Sequence, residues 1–205
     1  MEQSREGQLI IVSGPSGVGK GTVNKILIAR NADMCMSVSA TTRARRPGEI
    51  EGVHYFFKTQ QEFEQMIAQD AFLEYMRVFG MNYYGTPKAY VRQERQKGRD
   101  VLLEIDVQGG MRVKQVCPDA ILIFIAPPSM EELRSRLVGR GTETPEAVKK
   151  RFATAGEEMN CLLHYDYVVV NDQPDIAAHK IETIVAAEKC RVARSQDLIK
   201  QFLTN

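Results

Sequence analysis

The chain has 205 residues, 43% of them hydrophobic and 26% charged, a length and balance that suit one packed α/β domain with a small insertion and exclude a disordered or low-complexity chain. Its 27 Lys and Arg against 26 Asp and Glu leave a net charge of +1, so nothing points to nucleic acid or an anionic membrane, and anion binding has to come from locally gathered arginines. The opening from Met1 to Gly7 lacks a signal peptide's apolar run, Ala120 to Ala126 is too short to span a bilayer, and Cys35, Cys117, Cys161 and Cys190 form no CxxC pair; reduced thiols and a cytosolic address are expected.

In chain order, Leu9 to Val12 is the first of four unbroken apolar runs, followed by Val101 to Leu103, Ala120 to Ala126 and Val168 to Val170. Such runs are expected of parallel strands buried on both faces by helices. The intervening helical stretches are Thr22 to Arg30, Met111 to Val116, Glu131 to Val138 and Pro145 to Leu163, and a long amphipathic helix from Ile176 to Leu203 closes the chain. The fold class is therefore α/β, a doubly wound parallel sheet. Residues from about Ser37 to Ala89 break this alternation: they are rich in aromatics, including Phe79, and alternate like half-exposed strands around one helix, Gln60 to Gln69. They read as an inserted small α+β subdomain.

The first strand runs into Gly14-Pro15-Ser16-Gly17-Val18-Gly19-Lys20-Gly21-Thr22 and then a helix. This fits the phosphate loop G-x-x-x-x-G-K, in which glycines let successive backbone N–H groups cradle phosphate oxygens, the helix N-terminus adds its dipole, and Lys20 supplies a mobile cation. A ligand-free glycine turn and a dinucleotide fold are the rivals; the latter needs G-x-G-x-x-G and leaves Lys20 without a task. Gly21 stands where the strict motif has Ser or Thr, with the hydroxyl arriving one place later at Thr22, which leaves the metal ligands unassigned.

A second cluster is Ser39-Ala40-Thr41-Thr42-Arg43-Ala44-Arg45-Arg46-Pro47-Gly48-Glu49, followed by His54-Tyr55-Phe56-Phe57. Arginines three apart can direct forked donors at one phosphate, with a tyrosine hydroxyl as a further donor. A solvated surface cluster is the alternative. A third basic group, Arg134, Arg136, Arg140, Lys149, Lys150 and Arg151, flanks a possible hinge turn at Gly139-Arg140-Gly141-Thr142; by itself it also reads as an exposed basic helix pair. His54, His164 and His179 show no metal or triad spacing.

Five strings in this order resemble guanylate kinase: Gly14 to Thr22; Ser39 to Glu49 with His54 to Phe57; Asn82-Tyr83-Tyr84-Gly85-Thr86; Glu104-Ile105-Asp106-Val107-Gln108-Gly109; and Gly139 to Thr144. The similarity runs from about Leu9 to Asp172. It implies a P-loop core (8–36, 90–134 and 164–205), an inserted GMP-binding subdomain (37–89) and a helical lid (135–163). The implied reaction is transfer of the γ-phosphoryl group of ATP to GMP or dGMP, giving ADP and GDP.

The resemblance further implies that Arg43, Arg46, Tyr55 and Tyr84 hold the GMP phosphate while Ser39, Glu74, Thr86 and Asp106 surround the guanine. Tyr83 is left to packing. The division suits the base: a carboxylate accepts from guanine N1–H and N2–H₂, whereas adenine presents it with a ring acceptor. Met81 makes the Glu74-to-Tyr84 spacing one residue longer than in the familiar family form. With ATP at about −4, GMP at about −2 and one Mg²⁺, roughly four further cations are wanted. Lys20, Arg43 and Arg46 supply three, and the resemblance assigns Arg136, Arg140 and Arg151 to the phosphates as well. ATP contacts are expected from the loop and from Asn171, beside Asp172 on the adenine side. The Glu104-Ile105-Asp106 strand end can orient Mg²⁺ through water. Two other classes compete: an inactive guanylate-kinase-like module that binds phosphopeptides, and an RNA-binding protein. The presence of Lys20 and the lid arginines speaks against the first, and the balanced charge against the second.

Overall fold

The computed structural model describes residues 6–78, 80–139 and 144–203. Strand β1 (Leu9–Ser13) leads through α1 (Lys20–Arg30) to β2 (Met34–Met36). Four short strands then accompany α2 (Gln60–Ala68): β3 (Ala40–Thr41), β4 (Phe56–Phe57), β5 (Phe72–Val78) and β6 (Asn82–Pro87). The core resumes with α3 (Lys88–Gln96), β7 (Asp100–Glu104), α4 (Val107–Val116), β8 (Ile121–Ala126) and α5 (Met130–Val138). It ends with α6 (Pro145–Asn160), a 3-10 turn (Cys161–His164), β9 (Tyr167–Val170), α7 (Pro174–Lys189), a second 3-10 turn (Val192–Arg194) and α8 (Gln196–Leu203).

The larger sheet is wholly parallel, in the order β2-β7-β1-β8-β9. Strand β1 lies at its centre, and Leu9, Ile10, Ile11 and Val12 are all fully buried. The odd and even residues of the central strands feed two cores, one with Ile10, Val12, Leu102 and Ile123 and the other with Leu9, Ile11, Val101 and Leu103. That two-sided burial is why these strands are unbroken apolar runs rather than alternating ones. The chain passes from β1 to β2 on one side, while β8 flanks the other, so the loop after β1 opens into the crevice where doubly wound sheets bind ligands.

The second sheet, β4-β3-β6-β5, carries the aromatic segment. Phe63 stacks between Phe72 and Tyr83, with ring centroids 4.4 and 5.1 Å away, so Tyr83 does pack into this small core. Helix α2 is started by a capping box in which Thr59 and Glu62 exchange hydrogen bonds. Hairpin β5–β6 keeps one register from Val78↔Asn82 to Tyr75↔Gly85 and shifts by a residue before Phe72↔Pro87. Met81 is spent in the turn, where it is exposed, and the ladder is not displaced by it.

Four expectations need correction. The C-terminal helix is not continuous: α7 ends at Lys189, and a 3-10 turn separates it from α8. Helix α4 starts at Val107, four residues earlier than expected, because the Asp106 carboxylate accepts from the Gly109 N–H and caps it. Helix α3 went unrecognised at the edge of the insertion; its polar sequence hides only Val91 and Glu94. Strand β9 is an edge strand with Val168 and Val170 exposed, not covered on both faces. Among the described residues no helix is long and apolar enough to cross a membrane, and the four cysteines are free thiols.

Candidate active site

The P-loop takes the sharp path its glycines permit. Gly14, Gly17 and Gly19 all have positive φ, at 145°, 89° and 96°, and at Gly14 a Cβ would lie 2.2 Å from the Ile125 carbonyl oxygen on the neighbouring strand. Lys20 opens α1 and its ammonium donates to the carbonyls of Gly14 (2.6 Å) and Pro15 (3.2 Å), folding over the loop. Thr22 is exposed. Asn171, at the end of β9, is buried beneath the loop: its Nδ2 donates to Val18 O at 2.7 Å. It supports the loop from below rather than facing open solvent.

Helices α5 and α6 reach the same loop. Arg151 on α6 donates to the Ser16 hydroxyl at 2.6 Å. Arg136 on α5 pairs with Glu132 at 2.9 Å and donates to Asn171 O at 3.0 Å. Arg134, Lys149 and Lys150 point to solvent. Arg140, like Gly141, Thr142 and Phe79, lies outside the described residues.

In the smaller sheet Arg43, Tyr55 and Tyr84 converge. The Arg43 guanidinium lies 5.4 Å from the Tyr55 ring centroid, and Tyr55 meets Tyr84 edge to face at 6.0 Å. Arg43 also pairs with Glu49 at 2.6 Å, while the Arg46 N–H donates to the other Glu49 oxygen at 2.8 Å. Hydrogen bonding by Arg43, then by the Arg46 N–H, holds the Glu49 carboxyl down at about 2. Glu49 thus accepts from the Arg43 guanidinium and the Arg46 backbone together. Its place in the motif was visible, but the three-to-six-residue reach to Arg46 and Arg43 that gives it a role was not singled out. The Arg46 side chain is exposed, and Ser39 is partly buried at the start of β3.

Beyond this cluster Thr86 and Glu74 face each other, both buried, with Thr86 Oγ1 donating to Glu74 Oε1 at 2.8 Å. Burial pushes the Glu74 carboxyl up, the Thr86 hydroxyl pulls it back, and the Asp106 charge pushes it up again. Burial likewise pushes the Glu158 carboxyl of α6 up, the Lys20 charge pulls it back, and the Asp106 charge adds to the rise.

At the end of β7 the exposed Glu104 accepts from Asn24 Nδ2 at 2.8 Å. Its carboxylate oxygens lie 3.8 and 3.9 Å from where a Cβ on Gly21 would be. By contrast, a cavity of about 700 Å³ at the opposite, N-terminal end of the strands has its charges matched internally, Arg95 with Asp119, Lys114 with Asp166 and Lys189 with Asp100. It offers no net field for a nucleotide.

The chain matches the family model described as guanylate kinase over residues 6–188. The chain belongs to the guanylate kinase family. Among its relatives, the guanylate kinase of Caldanaerobacter subterraneus subsp. tengcongensis is 52% identical over 198 residues, covering 97% of this chain and 96% of its own. That of Clostridioides difficile is 48% identical, with 95% of each covered. The crystal structure of guanylate kinase from Anaplasma phagocytophilum superimposes with a TM-score of 0.72 at 34% identity, covering 96% of this chain and 95% of that one. Agreement of this extent spans the P-loop core and the aromatic insertion alike.

Proposed function

We propose that the cleft holds ATP and GMP head to head, with the ATP phosphates in the P-loop and the GMP phosphate on Arg43, Arg46, Tyr55 and Tyr84, for in-line transfer of the γ-phosphoryl group. The overall reaction is that of the family: the chain is an ATP:GMP phosphotransferase, and a catalytically inactive phosphopeptide module is not favoured. The observation that carries the site assignment is the pairing of two anion cradles, the Gly14–Lys20 loop and the Arg43–Arg46 fork, with the buried Glu74–Thr86 pair beyond the second.

The GMP phosphate oxygen is already an anionic nucleophile, so no side chain has to remove a proton. Catalysis is alignment and charge neutralisation in a site that excludes water. Lys20 is positioned to follow the transferring group, and Arg43 balances the acceptor phosphate. Arg136 and Arg151, from α5 and α6, stand at the loop on the donor side, and Arg140 completes the set in this reading. Ionised Glu74 accepts from guanine N1–H and N2–H₂, Thr86 donates, and Ser39 and Asp106 complete the base pocket for GMP and dGMP. Asn171 serves ATP by holding the loop in shape. In domain terms, the insertion (37–89) and the lid (135–163) close over the core (8–36, 90–134 and 164–205) by a hinge motion.

Mg²⁺ fits the residues present as an ion held mainly by nucleotide phosphates and water. Gly21 provides no hydroxyl, Glu104 stands beside it, and the described residues contain no group of three His, Cys, Asp or Glu able to form a cage. Glu104, steadied by Asn24, would anchor the hydrated ion. When bound, the ion supplies positive charge to the phosphates that the protein's own cations do not fully balance.

A coupled ADP-release assay with GMP, dGMP, AMP and UMP as acceptors tests this reading. Turnover with GMP and dGMP far above that with AMP and UMP is expected. Efficient AMP turnover contradicts the base-pocket assignment, and absence of GMP-dependent turnover contradicts the reaction.

A further inference from the structure

Strand β3 runs into the Arg43 cluster through two threonines, and the hydroxyls of both are engaged by β6. In the register of the smaller sheet Thr41 lies between Phe57 of β4 and Tyr84 of β6, and it is fully buried. Its Oγ1 donates to the Tyr83 carbonyl oxygen at 2.9 Å and accepts from the Arg43 backbone N–H at 3.1 Å. Thr42 completes the clasp on the same tyrosine: its N–H donates to Tyr83 O at 3.1 Å, and its Oγ1 accepts from the Tyr83 N–H at 2.9 Å. Tyr83 is itself stacked on Phe63 of the small core, with ring centroids 5.1 Å apart.

The two hydroxyls differ in one respect: that of Thr42 serves Tyr83, whereas that of Thr41 joins Tyr83 to Arg43. A hydroxyl has a single proton, and here it is committed to the Tyr83 carbonyl, so a lone pair is left for the Arg43 N–H. The contact reaches from one residue to the second one after it and turns the chain out of the ladder where Arg43 leaves β3. The guanidinium then lies 5.4 Å from the Tyr55 ring centroid and 6.0 Å from that of Phe57, and pairs with Glu49. We propose that Thr41 is a positioning residue for the acceptor phosphate: its buried hydroxyl fixes the Arg43 backbone to Tyr83, so that Arg43 and the adjoining Tyr84 meet the GMP phosphate from a preset separation. This rests on the reading of Arg43 and Tyr84 as residues that hold that phosphate.

Three features set this apart from ordinary strand pairing. Strand β3 is only two residues long and its ladder with β6 ends at Thr41↔Tyr84, so the ladder itself does not carry Arg43. Arginine is long and rich in rotamers, and each freedom fixed before GMP arrives is one that binding need not freeze. Glu49 holds the guanidinium end of Arg43 and Thr41 the backbone end, which restrains the side chain from both sides. Finally, the Tyr83 carbonyl keeps the Thr42 N–H as a donor when the Thr41 hydroxyl is removed. The loss therefore falls on the Arg43 N–H rather than on the sheet.

Thr41→Val and Thr41→Ala both delete the hydroxyl, the first at nearly constant volume, and titration calorimetry of GMP on the full chain reads the effect. Both are expected to weaken GMP binding by about five- to tenfold, while the KM for ATP stays within about twofold of the wild-type value. Thr41→Ser, which keeps the hydroxyl, should bind GMP as the wild type does. Thr42→Val removes the other half of the clasp: it should lower Tm yet leave GMP affinity in place. In an Arg43→Ala background Thr41→Val should have no further effect, because the side chain it positions is gone. GMP affinity that survives Thr41→Val and Thr41→Ala, in a protein where Arg43→Ala does weaken GMP binding, overturns the proposal alone. So does an equal loss with and without the Arg43 side chain, or a loss of the same size in Thr42→Val, either of which makes Thr41 a structural residue only. Arg43→Ala that binds GMP as tightly as the wild type overturns the phosphate assignment and this proposal with it.

Discussion

Thr86 Oγ1 donates a 2.8 Å hydrogen bond to Glu74 Oε1 across the β5–β6 hairpin, and both side chains are buried. The pair stands beside the register shift between Phe72 and Tyr75, where the extra residue on β5 lets Glu74 turn towards Thr86. Burial raises the carboxyl while the threonine hydroxyl favours its charged form. In the proposed base pocket guanine N1–H and N2–H₂ would supply further donors to this carboxylate, whereas adenine would leave it partly unpaired. Glu74→Gln keeps the shape but replaces one acceptor with a donor. An unpaired buried polar group costs about 1–3 kcal/mol, so GMP kcat/KM should fall by roughly ten- to a hundredfold. Discrimination against AMP should shrink in parallel. Comparing GMP and AMP kinetics for the two proteins measures this, and unaltered selectivity would place base recognition elsewhere.

Lys20 bends back onto the carbonyls of Gly14 and Pro15 in the free chain. Those contacts are short but local, within six residues, and the loop's path is also held by Asn171 and by three glycines with positive φ. Lys20→Ala should therefore fold with a Tm close to that of the wild type. On the proposed reading, in which the ammonium turns to the transferring phosphoryl group, its removal should lower kcat by about 10²–10³-fold. Circular dichroism melting and the ADP-release assay read the two effects separately; near-normal turnover would mean the ammonium is not part of the chemistry.

Much of this architecture could be read from the chain because the informative contacts are local. Leu9 to Val12 announces a buried parallel strand by its unbroken apolar run, and Gly14 to Lys20 announces the loop by where its glycines stand. Arg43, Tyr55 and Tyr84 were identified by motif and do converge. What was not legible depends on partners distant in sequence or on features with no apolar period. Asn171 meets Val18 across 153 residues, and Arg151 meets Ser16 across 135. Helix α3 buries only Val91 and Glu94, so it has almost no hydrophobic signature. The end of α7 at Lys189 is set without glycine or proline, the usual marks of a helix stop.

Glu49 ties the Arg43 guanidinium to the Arg46 backbone, and its protonation should be felt in stability. Hydrogen bonding by Arg43 lowers its carboxyl from 4.5 to about 2. Since the folded value lies below the ordinary one, the unfolded chain binds this proton more readily. The stabilisation from Glu49 is therefore present above pH 4.5 and is lost as pH falls towards 2. In urea unfolding measured across this range, the wild type should exceed Glu49→Gln by a constant margin at neutral pH, and the two should converge in acid. A margin that widens on acidification would contradict the pairing.

Asn171 offers the sharpest separation of loop shape from loop chemistry. Its Nδ2 donates to Val18 O, its backbone N–H donates to Ala126 O, and Gly19 is packed so closely against it that a Cβ would lie 2.6 Å from Nδ2. Asn171→Ala removes the side-chain donor and leaves the Val18 carbonyl buried without it, at a cost of about 1–3 kcal/mol. Part of that cost falls on the loop's cradle geometry, so the KM for ATP should rise several-fold while the KM for GMP stays near the wild-type value. Gly19→Ala acts from the other side: with φ at 96° and Nδ2 in the way, it strains the backbone as well as the contact. It should lower Tm and raise the KM for ATP more than Asn171→Ala does. In the double variant the steric part is relieved, because Asn171 no longer carries the clashing amide, and only the left-handed backbone strain remains. The double variant should thus be more stable than the sum of the two singles predicts, a coupling that a thermodynamic cycle in Tm and in ATP affinity measures directly. Strict additivity would show that Gly19 and Asn171 support the loop independently.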